Sequence, residues 1–200
     1  RRQRQMCIRD SCMNDYKYVD LILGKQCQTK MGRGGIRPLE FKTFSKEMQN
    51  AITNYCQAGG NFFVSGAYVA SDLWDNRLVK ANEEDKKFAM EVLKYKWRVG
   101  QAARNGKVKS VASPFPEITG SYTYYQDLNP ESYVVESPDA LEPAAQGAFT
   151  ILRYSENNLS AGIAYKGNYK TCVLGFPFEA IRTVTERELL MKAILTFFEH

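Results

Sequence analysis

The residues of this sequence most able to do chemistry lie in two short segments. The first, Ser65-Gly66-Ala67-Tyr68-Val69-Ala70, directly follows the apolar run Asn61-Phe62-Phe63-Val64. A strand entering such small residues can turn sharply into a helix. The elbow then presents one side chain, with backbone N–H groups beside it, at the C-terminal end of a parallel sheet. The side chain at that place is Tyr68, preceded by Ser65, and no cysteine or serine stands between Gly66 and Ala70. The second segment, Gly175-Phe176-Pro177-Phe178-Glu179, closes another apolar run and offers one carboxylate.

What these groups can do is limited by what is missing. The single histidine is His200, the last residue. A serine or cysteine nucleophile needs a base held within hydrogen-bond reach, and a chain end is a poor place to hold one. Triad chemistry is therefore not expected. Carboxylate chemistry needs no histidine: a glycosidase works with two carboxyls about 5–9 Å apart. Asp72 and Glu179 are the pair that a parallel sheet end would bring together. A polysaccharide lyase would instead use Tyr68 as base, with Arg153 or Arg182 neutralising a uronate. Tyr68, Asp72 and Glu179 are thus the catalytic candidates. Ser65, Tyr68, Asp72, Glu179 and Arg182 are the ligand-binding candidates. Each has a plainer role: Asp72 as a helix cap, Glu179 and Arg182 as partners of each other or caps of the last helix, Arg153 as a surface strand residue, and Gly66 and Ala70 as close-packing positions.

The elements that must hold these residues follow from the apolar pattern. Residues 19–24 and 61–66 read as buried strands, and 44–55 carry an apolar stripe at helical spacing, stopped by Gly59-Gly60. Strand, helix and strand with short links make a βαβ unit and a parallel pair. Residues 30–38 read as a basic, glycine-rich loop, 88–96 as a helix and 107–112 as a strand. Residues 122–126 and 133–136 are short β-prone pieces. Three strands are expected at 149–154, 159–165 and 169–176, joined by hairpin turn chemistry at 155–158 and 166–168. Thr185 and Glu188 have the spacing of a capping box, and the last helix is expected to bury Leu189, Leu190, Ala193, Ile194 and Phe197.

Composition narrows the function classes. The chain has 200 residues and a net charge of +5. Arg1, Arg2, Arg4 and Arg9 against Asp10 account for +3 of this, leaving +2 on the rest, where lysines and acids alternate. No basic stripe with interleaved aromatics appears, so nucleic acid is not an expected partner. No run approaches the roughly 18 apolar residues of a membrane helix, so membrane insertion is not expected. The five cysteines form no C-x-x-C pair, so neither a metal nor another cofactor is expected. Cys56 and Cys172 sit among apolar residues as small buried hydrophobes.

Residues 1–11, RRQRQMCIRDS, resemble a translated sequencing adapter of the kind found at the ends of metagenomic reading frames. Residues 1–12 are accordingly read as an artefactual or disordered leader that packs on nothing, and 13–200 as one domain.

The Gly175–Glu179 segment after a late strand resembles the class I glutamine amidotransferase-like superfamily, whose late strand ends in a Gln-Phe-His-Pro-Glu-like motif. On that resemblance Tyr68 stands where the nucleophilic cysteine would be, Pro177 where the histidine would be, and Glu179 where the glutamate would be. The stretches 52–65 (ITNYCQAGGNFFVS), 65–73 (SGAYVASDL) and 174–181 (LGFPFEAI) are similar to secreted Bacteroidetes-type multidomain proteins labelled xanthan lyase. The resemblance covers roughly residues 16–199. It implies an α/β fold: a flavodoxin-like parallel sheet flanked by helices, with an antiparallel β extension in the second half. It also implies further βα units upstream, and hence truncation. The function it implies is a catalytically degenerate accessory domain of a secreted or periplasmic protein, with polysaccharide or cell-wall glycan and neighbouring domains as partners. The alternatives are a lyase or hydrolase using tyrosine and carboxylates, and a purely structural scaffold between domains. Any small-molecule site is expected where the strands finish, near Ser65 and Phe176.

Overall fold

The structure, a computed structural model, describes residues 13–31, 39–74 and 82–200. The leader 1–12 and most of the expected glycine-rich loop, residues 32–38, lie outside the described residues. The chain begins with β1 (Tyr18–Gly24), then a small hairpin of β2 (Thr29–Met31) and β3 (Leu39–Phe41). Helix α1 (Lys46–Gln57) starts where the Ser45 hydroxyl accepts from the Met48 N–H. It turns Ala51, Ile52, Tyr55 and Cys56 inward. β4 (Asn61–Gly66) follows and lies parallel to β1, with Asp20 beside Phe63 and Ile22 beside Ser65.

After β4 come a single turn, α2 (Ser71–Trp74), and α3 (Glu83–Phe88), which is capped by the Asn82 side chain. α3 widens into a π-helical turn at Ala89–Leu93, ended by Lys94 at φ +67°. The helix expected over 88–96 is thus half helix. The alternation Tyr95-Lys96-Trp97 makes the rest a strand, β5 (Tyr95–Val99). β6 (Lys107–Ser110) and β7 (Ser121–Thr123) follow, then a long irregular stretch in which residues 133–136 form no strand. β8 (Ala140–Pro143) pairs antiparallel with β5. β9 (Ala148–Tyr154), β10 (Ser160–Lys166) and β11 (Lys170–Leu174) run as a meander. A 3-10 turn at Phe178–Ala180 leads to α4 (Val184–Glu199).

The main sheet has seven strands in the order β1-β4-β11-β10-β9-β6-β7. Only β1, β4 and β11 are parallel; every other neighbouring pair is antiparallel. This corrects the expected flavodoxin-like parallel sheet: the fold is a mixed sheet curled into a half-barrel, with few helices. The reason is in the connections. Two tight turns return the chain at once, so β9, β10 and β11 are sequential neighbours, and β11 then inserts beside β4 instead of closing a separate layer. The antiparallel strands are more than half of the sheet, not an appendage to it.

Strand alternation sorts the core into two layers. Phe63, Cys172 and Leu174 face Leu190, Ile194 and Phe197 of α4. Phe62, Val64 and Val173 face Ile52 and Tyr55 of α1 and Leu73 of α2. Two local expectations also move. The capping box is Thr183 with Glu186, two residues earlier than the spacing suggested, because the helix already begins at Val184. Leu189 points outward at 58% exposure, while Leu190 and Ile194 are fully buried. β1, read as a buried strand, lies at the edge of the sheet among the described residues, and Ile22 is half exposed.

Candidate functional site

The C-terminal ends of β1, β4 and β11 are where an open parallel sheet binds ligands. Here each end is marked by a glycine against which another segment closes. Gly24 has φ +58°, and a Cβ on it would meet Glu179 Oε1 and the Tyr133 hydroxyl oxygen, each at 3.2 Å. A Cβ on Gly66 would stand 2.9 Å from Leu23 Cβ. A Cβ on Gly175 would overlap the backbone carbonyl of Asp139. The segment from Tyr133 to Asp139 therefore runs from the end of β1 to the end of β11, while Gly66 closes on β1 itself.

Asp139 is the centre of this closure. It is fully buried, and its Oδ2 accepts from the Ala70 N–H at 2.8 Å and the Ser71 N–H at 2.7 Å. Its own N–H donates to the Gly175 carbonyl at 2.7 Å, and its carbonyl accepts from the Tyr154 hydroxyl at 2.7 Å. Burial pushes its carboxyl up to about 7, against the opposing pull of the Ser71 and Ala70 N–H groups. In an elbow enzyme, N–H groups just after the nucleophile position stabilise developing negative charge on a substrate. Here the N–H groups of Ala70 and Ser71, two and three residues past Tyr68, are taken by a carboxylate of the same chain.

The sequence-derived candidates are distributed around this plug and not gathered into one site. Ser65 lies in the interior of β4, wholly buried. Tyr68 is half-buried against the layer that contains Phe63 and Phe178. Asp72 is buried and accepts from the Gln28 backbone N–H, so it fastens the segment after β1 and does not cap its own helix. Burial pushes Asp72 up to about 6, with the Gln28 bond acting the other way. Glu179 accepts from the Tyr133 hydroxyl at 2.6 Å, and its Oε2 is buried without a hydrogen-bond partner among the described residues. Arg182 does not pair with Glu179. It reaches Asp127 at 3.3 Å and lies over the Tyr125 ring at 5.2 Å. Arg153 donates to the Asn158 carbonyl at 2.7 Å within the β9–β10 turn.

Three groups at this end escaped sequence reasoning. Tyr133 and Asp139 sit in an irregular stretch whose partners are far away in the chain, so no local spacing announces them. Lys25 bonds Glu136 at 2.6 Å and lies 5.8 Å from the Tyr133 ring, pinning the same crossing segment to the end of β1. Cys172 and Cys56 are buried, and burial raises both thiols, Cys56 to about 12, so neither is a poised thiolate. Among the described residues no group of three or more His, Cys, Asp or Glu side chains could hold a metal ion. No helix among them is long and apolar enough to cross a membrane.

An apolar groove lies elsewhere, on the outer side of α4. It has a volume of about 550 Å³ and is lined by Phe178, Val184, Met191 and Leu195, with Arg187, Glu188, Lys192 and Glu199 among its charged residues.

No family model matches the sequence, and no curated protein matches it significantly. The fold is shared with part of a solved structure. A cold-adapted beta-galactosidase from Rahnella sp. R3 superimposes over 96% of this chain with a TM-score of 0.55 at 13% identity. The chain spans only 24% of that beta-galactosidase chain. The IFT52 N-terminal domain aligns over 96% of this chain and 81% of its own length, with a TM-score of 0.49 at 13% identity. At such identities the likeness concerns the fold alone. The beta-galactosidase match carries nothing of the amidotransferase-like or xanthan lyase-like resemblance, and the secreted, glycan-directed role expected from it has no support there.

Proposed function

We propose that this chain is a catalytically silent module that works by packing against other polypeptide. The observation that carries this reading is the Asp139 plug. The Ala70 and Ser71 N–H groups and the strand-end glycines are all engaged within the chain. A substrate at the strand ends would have to displace a buried carboxylate that satisfies two backbone donors, leaving them unpaired. The lack of a positioned histidine supports the same reading.

The test is direct. The purified chain is incubated with glutamine and with an acidic polysaccharide, and ammonia and unsaturated uronate are followed. No turnover above the buffer control is expected. Turnover that disappears in Tyr68→Phe or Glu179→Gln would overturn the proposal.

A further inference from the structure

β1 ends the seven-stranded sheet, and among the described residues no strand pairs with its outer edge. An unpaired edge is a row of main-chain donors and acceptors ready for another strand. Sheet register fixes which side chains accompany that edge. Asp20 lies beside Phe63, whose ring packs edge-on against Phe178 at 5.8 Å. Tyr18 stacks on Phe198 of α4 at 5.9 Å. By alternation Tyr18, Asp20 and Ile22 all face the α4 side. Phe178 and Glu199 both line the groove outside α4, and Glu199 accepts from the Tyr18 hydroxyl at 3.2 Å. The free edge and the apolar groove are therefore adjacent parts of one surface. Ile22 at 50%, Val184 at 59% and Leu195 at 37% exposure are its uncovered apolar side chains.

The charges along the edge select an occupant. Glu199 stands by the start of β1, Asp20 in its middle and Glu179 by its end. Lys17 reaches Glu199 only at 4.0 Å, and Asp20 and Glu179 make no ion pair among the described residues. Arg187 and Lys192 balance Glu188 and Glu199, so the groove itself is neutral and the uncompensated charge is that of Asp20 and Glu179. A second copy of this chain fits poorly. Antiparallel pairing of β1 with itself about Asp20 or Leu21 sets two Asp20 carboxylates opposite or diagonal across the seam.

We propose that the free edge of β1 and the groove outside α4 together dock an extended, basic strand of another polypeptide. A lysine or arginine of that strand faces Asp20, and its apolar side chains cover Ile22 and enter the groove. Main-chain bonding supplies the affinity, and the alternating side chains supply the choice of partner. This inference rests on the reading of the chain as a packing module, but it is tested apart from turnover.

The probe is a short synthetic peptide alternating lysine and valine, fluorescently labelled, titrated against the full chain in physiological salt. Its counterparts are an alternating glutamate–valine peptide and a lysine–valine peptide N-methylated along both edges, which keeps the charge but cannot pair as a strand. Binding of the first is expected, weakened at least about tenfold by N-methylation and by Asp20→Lys or Leu195→Glu. Both variants change exposed positions, and circular dichroism checks that they fold. No binding, equal binding of the N-methylated peptide, or binding indifferent to both variants would overturn the proposal. So would a dimer in sedimentation that Asp20→Lys dissociates, since the edge would then belong to a second copy. Turnover of glutamine or polysaccharide would sink the silent-module reading and leave this binding result unchanged.

Discussion

The C-terminal ends and the outer edge of the parallel trio β1, β4 and β11 differ in how the chain treats them. At the C-terminal ends of β4 and β11, backbone meets backbone: Asp139 is buried, its carboxylate and both its main-chain groups are bonded, and Gly175 has no room for a side chain. Along the outer edge of β1, the strand beside β4, Ile22 is half exposed and a groove runs beside it. In an enzyme of parallel-sheet type the first place would be open and the second covered. Here the usual binding crevice is the rigid part and the usual flank is the accessible part. That inversion, more than any single missing residue, turns the reading from catalysis to docking.

The largest effect that can break this comparison is at Gly175. Gly175→Ala drives a methyl into the Asp139 carbonyl, and backbone on both sides leaves no flexible tip to yield. The variant is expected to lose about 4 kcal/mol or more of stability, or to fail to fold. Urea unfolding followed by tryptophan fluorescence measures it. A loss below about 1 kcal/mol would mean that the strand ends are loosely closed and the plug is movable.

Next in size is the pH dependence set by Asp139. Its folded pKa, about 7, lies above the ordinary carboxylate value of 3.8. The folded chain therefore holds a proton that the unfolded chain releases. This contribution to stability is full below pH 4 or so and is lost as the pH rises through about 7. Its ceiling is a few kcal/mol, because each tenfold difference in proton affinity between the folded and unfolded chain is worth roughly 1.4 kcal/mol. Asp72, raised to about 6, acts in the same direction. Asp20 is also raised to about 6, by burial first and then by Glu179, but it is open to water along the strand edge. Screening there leaves its contribution small. Asp139→Asn keeps an acceptor for Ala70 and Ser71 and removes the titration. Its stability between about pH 5 and pH 8 is expected to be flatter than that of the natural chain. An unchanged slope would show that the buried carboxylate does not govern it.

The unequal legibility of the two regions has a physical cause. β1, β4 and the β9–β10–β11 meander were readable because apolar alternation and turn residues are local signals. Their arrangement was not. Whether β11 pairs with β4 is decided by contacts more than a hundred residues apart in sequence, and that pairing is what makes the sheet mixed. The elbow at Ser65–Ala70 has the local form of a nucleophile turn, yet its chemistry depends on Asp139, which stands in a stretch without periodicity. Glu179 lies by Gly24 at the end of β1. Its partner is Tyr133, and no spacing rule joins the two.

The smallest effect belongs to the open flank. Ile22→Thr and Leu195→Ser change side chains that are 50% and 37% exposed, on an edge strand and on the outer side of a helix. Neither removes a hydrogen bond or opens a cavity in either core layer. Threonine keeps the β-branched shape that a strand favours. Serine at 195 has a lower helix propensity than leucine, worth a few tenths of a kcal/mol. Each variant is therefore expected to change unfolding free energy by no more than about 0.5–1 kcal/mol. If the flank were part of the core, the loss would approach the roughly 2–5 kcal/mol of a buried leucine truncation. The comparison is sharpest when both measurements are made on the same variants. A surface kept for a partner should lose peptide binding while stability holds, because its apolar side chains gain their burial only in the complex. A flank that loses stability and binding together would be ordinary core, and the distinction between the closed crevice and the open edge would fail.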